Sequence, residues 1–219
     1  MNISIFDIKE KARFSLNRNW GKAVLLTFII FLITTGASFF IEVFLSGGLI
    51  NWFEQEQTPL TADLINLLLG IILIPLTASS YWFYLNLVRG KEADISQVFT
   101  IYNDWKMCLK LIGVSIMVAI FAFLWFLLLI IPGIIKLLAY SQVYYLLRDH
   151  PEYSILEAIT ESKTRMVGYK WKYFLLNLSF IGWGILCIFS LGIGFLWLAP
   201  YITASNSAFY HDLIGNQQE

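Results

Sequence analysis

Few side chains in this 219-residue sequence have the chemistry that catalysis requires. No HExxH motif, glycine-rich phosphate loop or Ser/His/Asp order can be assembled around the two histidines, His150 and His211. The two cysteines, Cys108 and Cys187, lie in or beside apolar segments without a CxxC spacing, so we interpret them as packing residues rather than as redox or metal sites. The sequence therefore predicts a protein that is not an enzyme and that needs no metal or cofactor.

Glu42 is the only carboxylate within the core of a long apolar segment. A charged group at membrane depth often marks an ion-coupling site, because a carried proton or cation needs a titrating or coordinating group. Glu42 lies about one helical turn from the end of its segment, where its carboxylate can also reach the outer bilayer interface. Its position fits either an interfacial carboxylate, which we favour, or a coupling site.

Neutral polar residues are more common in the apolar segments. Thr77-Ala78-Ser79 and Thr203-Ala204-Ser205 follow two prolines, Pro75 and Pro200, at nearly the same distance, and both prolines are predicted sites of a helix kink or turn. Small hydroxylated residues let helices approach closely and hydrogen-bond to one another, which explains the pattern by packing alone. The alternative is a cavity between the proline-bearing second, fourth and sixth segments. Its polar path would consist of Thr77, Ser79, Tyr140, Gln142, Thr203, Ser205 and Asn206.

The elements that position these residues follow from composition. Hydrophobic residues make up 58% of the chain and charged residues 14%, compared with about 25% charged residues in a typical soluble domain. Mean hydropathy is +0.68, and several windows exceed the roughly 18 apolar residues that predict a spanning helix. The sequence thus predicts an all-α polytopic membrane protein with membrane lipids as partners. Because the formal net charge is zero, no nucleic-acid partner is expected.

Six transmembrane helices are predicted in a single membrane domain, residues 1–219. Their approximate bounds are 22–46, 62–88, 106–131, 134–147, 172–189 and 195–213. Pro132-Gly133 fits either a tight turn or a kink in one longer helix. We favour the turn, because a single helix from Met107 to Leu147 would be about 60 Å long, twice the thickness of the hydrocarbon core. Six spans then form three hairpins.

A Trp with a Lys one or two residues later precedes three of the apolar segments. Indole and ammonium groups favour the bilayer interface, where their polar atoms reach the headgroups and their apolar parts stay in lipid. The unit of anchor, outgoing helix and returning helix therefore occurs three times, which predicts internal repeats over residues 1–90, 91–150 and 151–213. The predicted interfacial anchors are Trp20, Lys22, Trp105, Lys106, Trp171 and Lys172.

Amphipathic segments precede the three hairpins. Ser154 and Glu157 have the spacing of a capping box, and an apolar stripe runs from Ile5 to Leu16. Such helices either lie in the plane of the interface or pack on neighbouring helices beside the membrane.

The cations predict the orientation of the chain. Fourteen of the 15 Lys and Arg residues lie in residues 1–22, 89–110 and 148–172, and Lys136 is the exception. Cytoplasmic loops carry an excess of Lys and Arg, so both termini are predicted to be cytoplasmic.

Motifs in the second half of the chain resemble a known family. They are Phe123-Leu124-Trp125, Ile130-Ile131-Pro132-Gly133-Ile134, Glu157-Ala158-Ile159 with Ser162, Trp171-Lys172, Phe180-Ile181-Gly182-Trp183 and Gly192-Ile193-Gly194-Phe195-Leu196-Trp197. Together they resemble an uncharacterised integral membrane family of Gram-positive bacteria, domain of unknown function 975. The Pro-Gly, Glu-Ala-Ile and Ser pattern is also similar to the membrane domain of some glycerophosphodiester phosphodiesterases. The resemblance implies a bacterial plasma-membrane protein and brings no catalytic residues to this sequence.

These patterns favour a non-enzymatic plasma-membrane protein that engages lipids or membrane-active peptides, in envelope maintenance or immunity. A small transporter or channel component is the second hypothesis, and a scaffold subunit for another membrane protein is the third. A continuous polar path between the even-numbered spans would favour transport. A closed bundle with lateral grooves would favour the lipid-binding or scaffold roles.

Overall fold

The computed structural model describes residues 4–55 and 57–218, and the regular structure of this part of the chain is entirely helical. The predicted all-α class is therefore confirmed. In chain order the elements are α1 (Ile5–Leu16), α2 (Trp20–Phe31), a π-helical segment (Leu32–Gly36), α3 (Ala37–Leu45), α4 (Leu49–Glu54), α5 (Leu60–Val88), α6 (Ile95–Phe99), a 3-10 segment (Thr100–Asn103), α7 (Trp105–Leu128), α8 (Ile130–Tyr140), α9 (Val143–Asp149), α10 (Ile155–Arg165), α11 (Lys170–Leu178), α12 (Ile181–Phe189) and α13 (Phe195–Gln218).

Within the described residues, five helical segments are long and apolar enough to cross a membrane. They are Trp20–Leu45, Leu60–Val88, Trp105–Leu128, Ile130–Asp149 and Lys170–Phe189, and they correspond to the first five predicted spans. The sixth predicted span lies in α13, which continues as a helix through Pro200. Polar residues such as Asn206 and His211 make this helix less apolar than the other five segments.

The chain turns between α7 and α8 at Leu129, whose φ of −161° and ψ of 144° are those of an extended residue. Pro132 lies in the first turn of α8, where a backbone N–H would have no helical partner, so its missing donor costs little. Contacts between the two helices run in opposite sequence directions. Gly133 lies against Phe126, and the Lys136 ammonium lies 4.3 Å from the centre of the Trp125 ring.

Two further sets of helices show the same antiparallel contacts. In the first pair, α2 and α3 lie beside α5, and Glu42 and Asn66 are hydrogen-bonded near one end of the pair. In the third pair, α11 and α12 lie beside α13, and the ring centres of Tyr173 and Phe209 are 4.9 Å apart. The second pair consists of α7 with α8 and α9. These names are used below.

The three pairs pack together mainly at one end of the molecule, which we call the base. The base contains α1, α6 and α10 as well as both ends of the described chain. In α5 the buried residues cluster in the second half, from Pro75 to Leu87, whereas Leu60, Leu64 and Leu67 in the first half are exposed. At the opposite end, the tips of the pairs do not cover one another, because Leu127, Ile131 and Phe189 are all more than two-thirds exposed.

The exposed surface of the spans is apolar. In the first candidate span only 6% of the most apolar window is buried inside the protein, and Phe31, Phe40 and Phe44 are exposed. Such a large continuous apolar surface is unfavourable in water but matches a lipid environment. The architecture is that of a membrane bundle that is held together at its base.

Candidate functional site

An ion-pair cluster joins the three pairs at the base. Arg89 follows α5, Asp149 ends α9 and Tyr210 belongs to α13. The Arg89 guanidinium donates two hydrogen bonds to the Asp149 carboxylate, at 2.6 and 2.5 Å, and the Tyr210 hydroxyl donates a third at 2.8 Å. The hydrogen bonds to the Asp149 carboxylate raise the pKa of Arg89. Each partner of the pair is only 21% exposed, so this contact is stronger than a surface ion pair.

The N-terminal helix is fastened to the base by charges as well as by its apolar face. Ile8, Ala12 and Leu16 are fully buried, and Lys11 donates to Asp212 at 2.5 Å. The Lys9 ammonium lies 4.3 Å from the centre of the Phe180 ring, and burial lowers the pKa of Lys9. α1 therefore packs on its neighbours through its buried apolar face.

The motif of Glu157, Ala158, Ile159 and Ser162 has a structural role in α10. The Ser154 hydroxyl accepts a hydrogen bond from the Glu157 backbone N–H, and the Glu157 carboxylate accepts one from the Ser154 backbone N–H, so the predicted capping box is present. The hydrogen bond from the Ser154 backbone N–H lowers the pKa of Glu157. Ala158 and Ile159 are buried on the second pair. One turn later, the Ser162 hydroxyl donates to the Ala139 carbonyl at 2.8 Å.

Ser162 compensates for a break in the fourth candidate span. Backbone groups at a helix end lack helical partners, and inside a membrane protein they need substitutes. Ser141 and Gln142 interrupt the helix between α8 and α9, and the Gln142 backbone N–H donates to Ser162 at 3.3 Å. The hydroxyl therefore serves backbone groups on both sides of the break.

A lateral groove of about 280 Å³ lies between the first and second pairs. None of its 12 lining residues is charged, and all of them belong to four of the candidate spans. Most keep part of their surface exposed, so the groove opens at the side of the bundle, along the candidate membrane-spanning segments. The polar lining consists of Thr34 and Ser38 from the first span, Asn66, Thr77 and Tyr81 from α5, Ser115 from α7 and Tyr144 from α9.

The π-helical segment forms one wall of this groove. A π-turn disturbs the regular i to i−4 hydrogen bonding of an α-helix, and such segments occur frequently at functional sites. The Thr34 hydroxyl donates to the Ile30 carbonyl at 2.8 Å, and the Ser38 hydroxyl donates to the Thr34 carbonyl at 3.0 Å. Because these hydroxyl protons are used within the helix, the wall offers oxygen acceptors and methyl or methylene groups rather than free donors.

Glu42 is held at the end of the groove nearest the tips. Its carboxylate accepts from the Asn66 side-chain amide at 3.1 Å and from the Trp52 indole N–H at 3.3 Å. Asn66 also lines the groove, and its buried Oδ1 has no hydrogen-bond partner in the described part of the chain. The groove thus has one unused acceptor close to a carboxylate that already has two donors.

A second cavity, of about 440 Å³, lies nearer the base between the same two pairs. We call it the base cavity. Its lining carries both signs of charge, with Arg148 opposed by Asp94 and Asp104, together with the polar residues Asn86 and Gln97. The hydroxyl of Ser96, which donates to Asp94, lowers the pKa of that carboxyl group.

One hydrogen bond separates the base cavity from the lateral groove. Trp82 lines the base cavity, Tyr144 lines the groove, and the Trp82 indole N–H donates to the Tyr144 carbonyl at 2.8 Å. On α5, Ala78 faces the groove while Ser79 faces the base cavity. The two spaces are therefore neighbours along one seam between the pairs.

The residues of the predicted polar path are not gathered in one cavity. Thr77 lines the groove and Ser79 lines the base cavity, whereas Tyr140 and Gln142 are buried in the second pair. The hydroxyls of Thr203 and Ser205 donate to carbonyls four residues earlier in α13. The buried oxygens Gln142 Oε1 and Asn206 Oδ1 have no partner among the described residues.

The predicted anchors all lie at helix starts on the base side. Trp20 and Trp105 are the first residues of α2 and α7, and Trp171 is the second residue of α11. Trp105 and Trp171 are about two-thirds exposed, whereas Trp20 packs against the core of the first pair. The accompanying lysines are Lys22, which donates to the Ala93 carbonyl, Lys106, which is exposed, and Lys172, which lies 5.9 Å from the Tyr169 ring centre.

Several residues that line the two cavities are not among those predicted from the sequence. The sequence does contain a pattern that indicates Thr34 and Ser38, because Thr34-Thr35-Gly36 interrupts the apolar sequence of the first span. No local sequence pattern indicates Ser115, Trp82 or Arg148 as lining residues. They line a cavity only because two helix pairs that are distant in the sequence come into contact.

Over residues 4–55 and 57–218, the regular structure is helical and includes five candidate membrane-spanning helices. The chain belongs to the family described as "Protein of unknown function (DUF975)", whose sequence profile matches residues 1–138 and 126–217. This confirms the family resemblance of the sequence motifs. No significant match was found among curated proteins or among solved structures.

Proposed function

We propose that the protein is a non-enzymatic multi-pass membrane protein that holds an amphiphile, a lipid or a membrane-active peptide, in the lateral groove. In this proposal α13 is a sixth membrane span, and the three helix pairs are three hairpins of one repeated unit. The base faces the cytoplasm of a Gram-positive bacterium, with Trp20, Trp105 and Trp171 at the inner interface of the plasma membrane. The cellular role would be envelope maintenance or immunity.

The uncharged lateral groove is the observation that carries the proposal. A groove that opens to lipid is reached by diffusion within the membrane, without passage through water. Its neutral oxygen atoms and its apolar residues, such as Leu69 and Leu73, suit a ligand that combines hydrocarbon with a few polar groups. Ion-coupled transport usually requires a charged residue at such a depth, and the groove lining has none.

The dimensions of the groove also favour an elongated ligand. Its lining extends along α5 from Asn66 to Tyr81, which corresponds to about 22 Å at 1.5 Å per residue. This length is about two-thirds of the thickness of the hydrocarbon core. An acyl chain or an extended apolar peptide segment can lie along this path.

A small transporter is the second candidate, and one observation favours it. The groove and the base cavity follow each other along the same seam, separated at the Trp82–Tyr144 hydrogen bond. Movement of this contact would connect membrane depth with the base. Of the predicted path between the even-numbered spans, only Thr77 and Ser79 line these two spaces.

A groove-filling substitution tests amphiphile binding. Ser115→Trp places a large side chain in the groove, whereas Ile116→Trp, one residue later, adds the same side chain to an exposed position. The protein in lipid nanodiscs is exposed to a phospholipid with a photoreactive group in the middle of one chain, and labelled peptides are mapped by mass spectrometry. We expect labelling of α5 near Leu73 and Thr77 to fall several-fold in Ser115→Trp and to persist in Ile116→Trp.

Two results would count against amphiphile binding. Labelling spread evenly over all lipid-facing helices, and equal in both variants, would mean that the groove holds no lipid chain. Uptake of a water-soluble solute into protein-containing vesicles, blocked by Ser115→Trp in the absence of a lipid footprint, would establish the transporter instead.

A further inference from the structure

We propose that the base cavity binds the headgroup of a zwitterionic phospholipid, namely a phosphate ester that carries a primary ammonium group. The inference deepens the proposed function, because it assigns a headgroup class to the amphiphile whose chain occupies the lateral groove. It rests on the position of the cavity, on the charges that line it and on its place beside the groove along the same seam.

The base cavity lies at the level where headgroups are found. Asn86 is near the end of the second candidate span, Met107 is near the start of the third, and Arg148 is near the end of the fourth. Asp94 and Asp104 lie in the connection between the second and third spans. The lining therefore includes the ends of three spans, and the cavity lies at the boundary between hydrocarbon and water.

Arg148 is available to bind a phosphate. Its guanidinium carbon lies 5.3 Å from the centre of the Trp82 ring, within the range of a cation–π contact, and the residue is exposed. None of the ion pairs among the described residues involves Arg148. A planar guanidinium presents paired N–H donors that match the oxygens of a phosphate.

The two carboxylates of the lining can bind a cation on the same ligand, in addition to the Lys22 ammonium that already acts on Asp94. Asp104 caps α7 by accepting from the Met107 backbone N–H at 3.1 Å, and Asp94 accepts from the Ser96 hydroxyl at 2.9 Å. An ionised carboxylate can accept several further hydrogen bonds. A purely anionic headgroup would meet Arg148 but would be repelled by both carboxylates, so a headgroup with charges of both signs is favoured.

The type of cation follows from the donors that the carboxylates need. A primary ammonium has three N–H donors, whereas a quaternary ammonium has none and is instead recognised by aromatic faces. In the base cavity the Trp82 ring already lies beside the Arg148 guanidinium. The lining therefore matches an ethanolamine headgroup better than a choline headgroup.

The acyl chain of such a lipid would extend into the groove, the neighbouring space beyond the Trp82–Tyr144 hydrogen bond. Met107 of the base cavity and Ser115 of the groove belong to the same helix, α7, and are separated by about 12 Å along its axis. This distance is somewhat less than half of the hydrocarbon thickness. A single phospholipid can therefore have its phosphate beside Arg148 and the middle of one chain beside Ser115.

Competition between defined lipids tests the headgroup assignment. The purified full-length protein is mixed with equal amounts of phosphatidylethanolamine, phosphatidylcholine and phosphatidylglycerol, and retained lipids are identified by native mass spectrometry. We expect the ethanolamine lipid to be retained at least about tenfold over the others in the wild-type protein, because charged hydrogen bonds distinguish these headgroups. Arg148→Gln should lower its retention about tenfold, and Asp94→Asn should reduce its advantage over the choline lipid.

Arg18→Gln is the matched control, because it removes an exposed cation elsewhere at the base, and it should leave the lipid preference unchanged. An equal loss in Arg18→Gln and Arg148→Gln would show general attraction to charge and would overturn the inference. So would retention of all three lipids to the same extent. In that case the Ser115→Trp variant tests the groove separately. If Ser115→Trp lowers the retention of every lipid, the groove binds lipid chains and the proposed function stands, although the headgroup assignment fails.

Soluble phosphoethanolamine distinguishes a lipid from a free small molecule. At millimolar concentration it should displace little of the bound lipid, since it lacks the chain that the groove holds. Complete displacement at micromolar concentration would identify a water-soluble ligand and overturn the assignment of the cavity to a lipid headgroup.

Discussion

Asp149 accepts hydrogen bonds from two different parts of the fold, since Arg89 lies in the first pair and Tyr210 in the third, while Asp149 itself ends the second. A buried guanidinium that loses its carboxylate keeps most of its desolvation cost without compensation. The cluster therefore makes the stability of the base depend on one side chain.

Asp149→Asn should destabilise the protein by about 1–3 kcal/mol, a value below that for fully buried pairs because both side chains are 21% exposed. The thermal midpoint in detergent, followed by circular dichroism, should fall by several degrees. Glu152→Gln is the control, because its partner His150 lies at the surface and the Glu152 side chain is 64% exposed. Equal midpoints for Asp149→Asn and the wild type would mean that the cluster contributes nothing to the stability of the base.

At the level of single residues, the sequence predicted local features better than distant contacts. The capping box of Ser154 and Glu157 is a local pattern and is present as predicted. The pairing of Arg89 with Asp149 joins residues 60 positions apart, and neither position carries a local signal for it. The same holds for Ser162, whose hydroxyl serves a helix break about 20 residues earlier in the chain.

Helix pairs depend on small residues where two helices come close together. Gly133 faces Phe126 across the turn at Leu129, and a Cβ atom at Gly133 would lie 2.6 Å from the Phe126 ring. A contact this short requires the ring to move, and overpacking of this kind typically costs about 1–3 kcal/mol.

Gly133→Ala should therefore lower the thermal midpoint in detergent, although alanine is the better helix former. Gly184→Ala is the matched control, because a Cβ atom at that position in α12 meets no atom within 4 Å. The control should be neutral or slightly stabilising. If Gly133→Ala were as stable as Gly184→Ala, the close packing of α7 on α8 would not depend on the glycine.

The helices that could be predicted from the sequence are those with long apolar segments. The first five spans follow from hydropathy, and their bounds agree within a few residues, except that the fourth begins near Ile130 and is interrupted at Ser141. α13 is different, because Ala204, Ser205 and Ala208 are fully buried and let other helices approach closely. A helix that packs mainly against protein does not need the hydropathy of one that faces lipid.

The whole molecule combines a packed base with tips that are exposed on all sides. The lateral groove exists because the first and second pairs diverge above their contact at the base, and no pattern within one helix predicts the space between two pairs. Both proposed ligand sites also require a particular position of the protein relative to the bilayer. The groove must lie in hydrocarbon and the base cavity at the inner interface.

The proposed topology has six membrane crossings with the base in the cytoplasm, and it can be tested at the C-terminal end of α13. Five crossings would place that end on the opposite side from the N-terminus. In the structure Gln217 hydrogen-bonds to Arg165, which places it at the base beside α10.

Single cysteines at Gln55, Ser190 and Gln217, in a background in which Cys108 and Cys187 are replaced, can be probed with an impermeant thiol reagent on intact cells and again after lysis. We predict that the cysteines at positions 55 and 190 react in intact cells, whereas the cysteine at position 217 reacts only after lysis. Reaction of the position 217 cysteine in intact cells would contradict the six-span account.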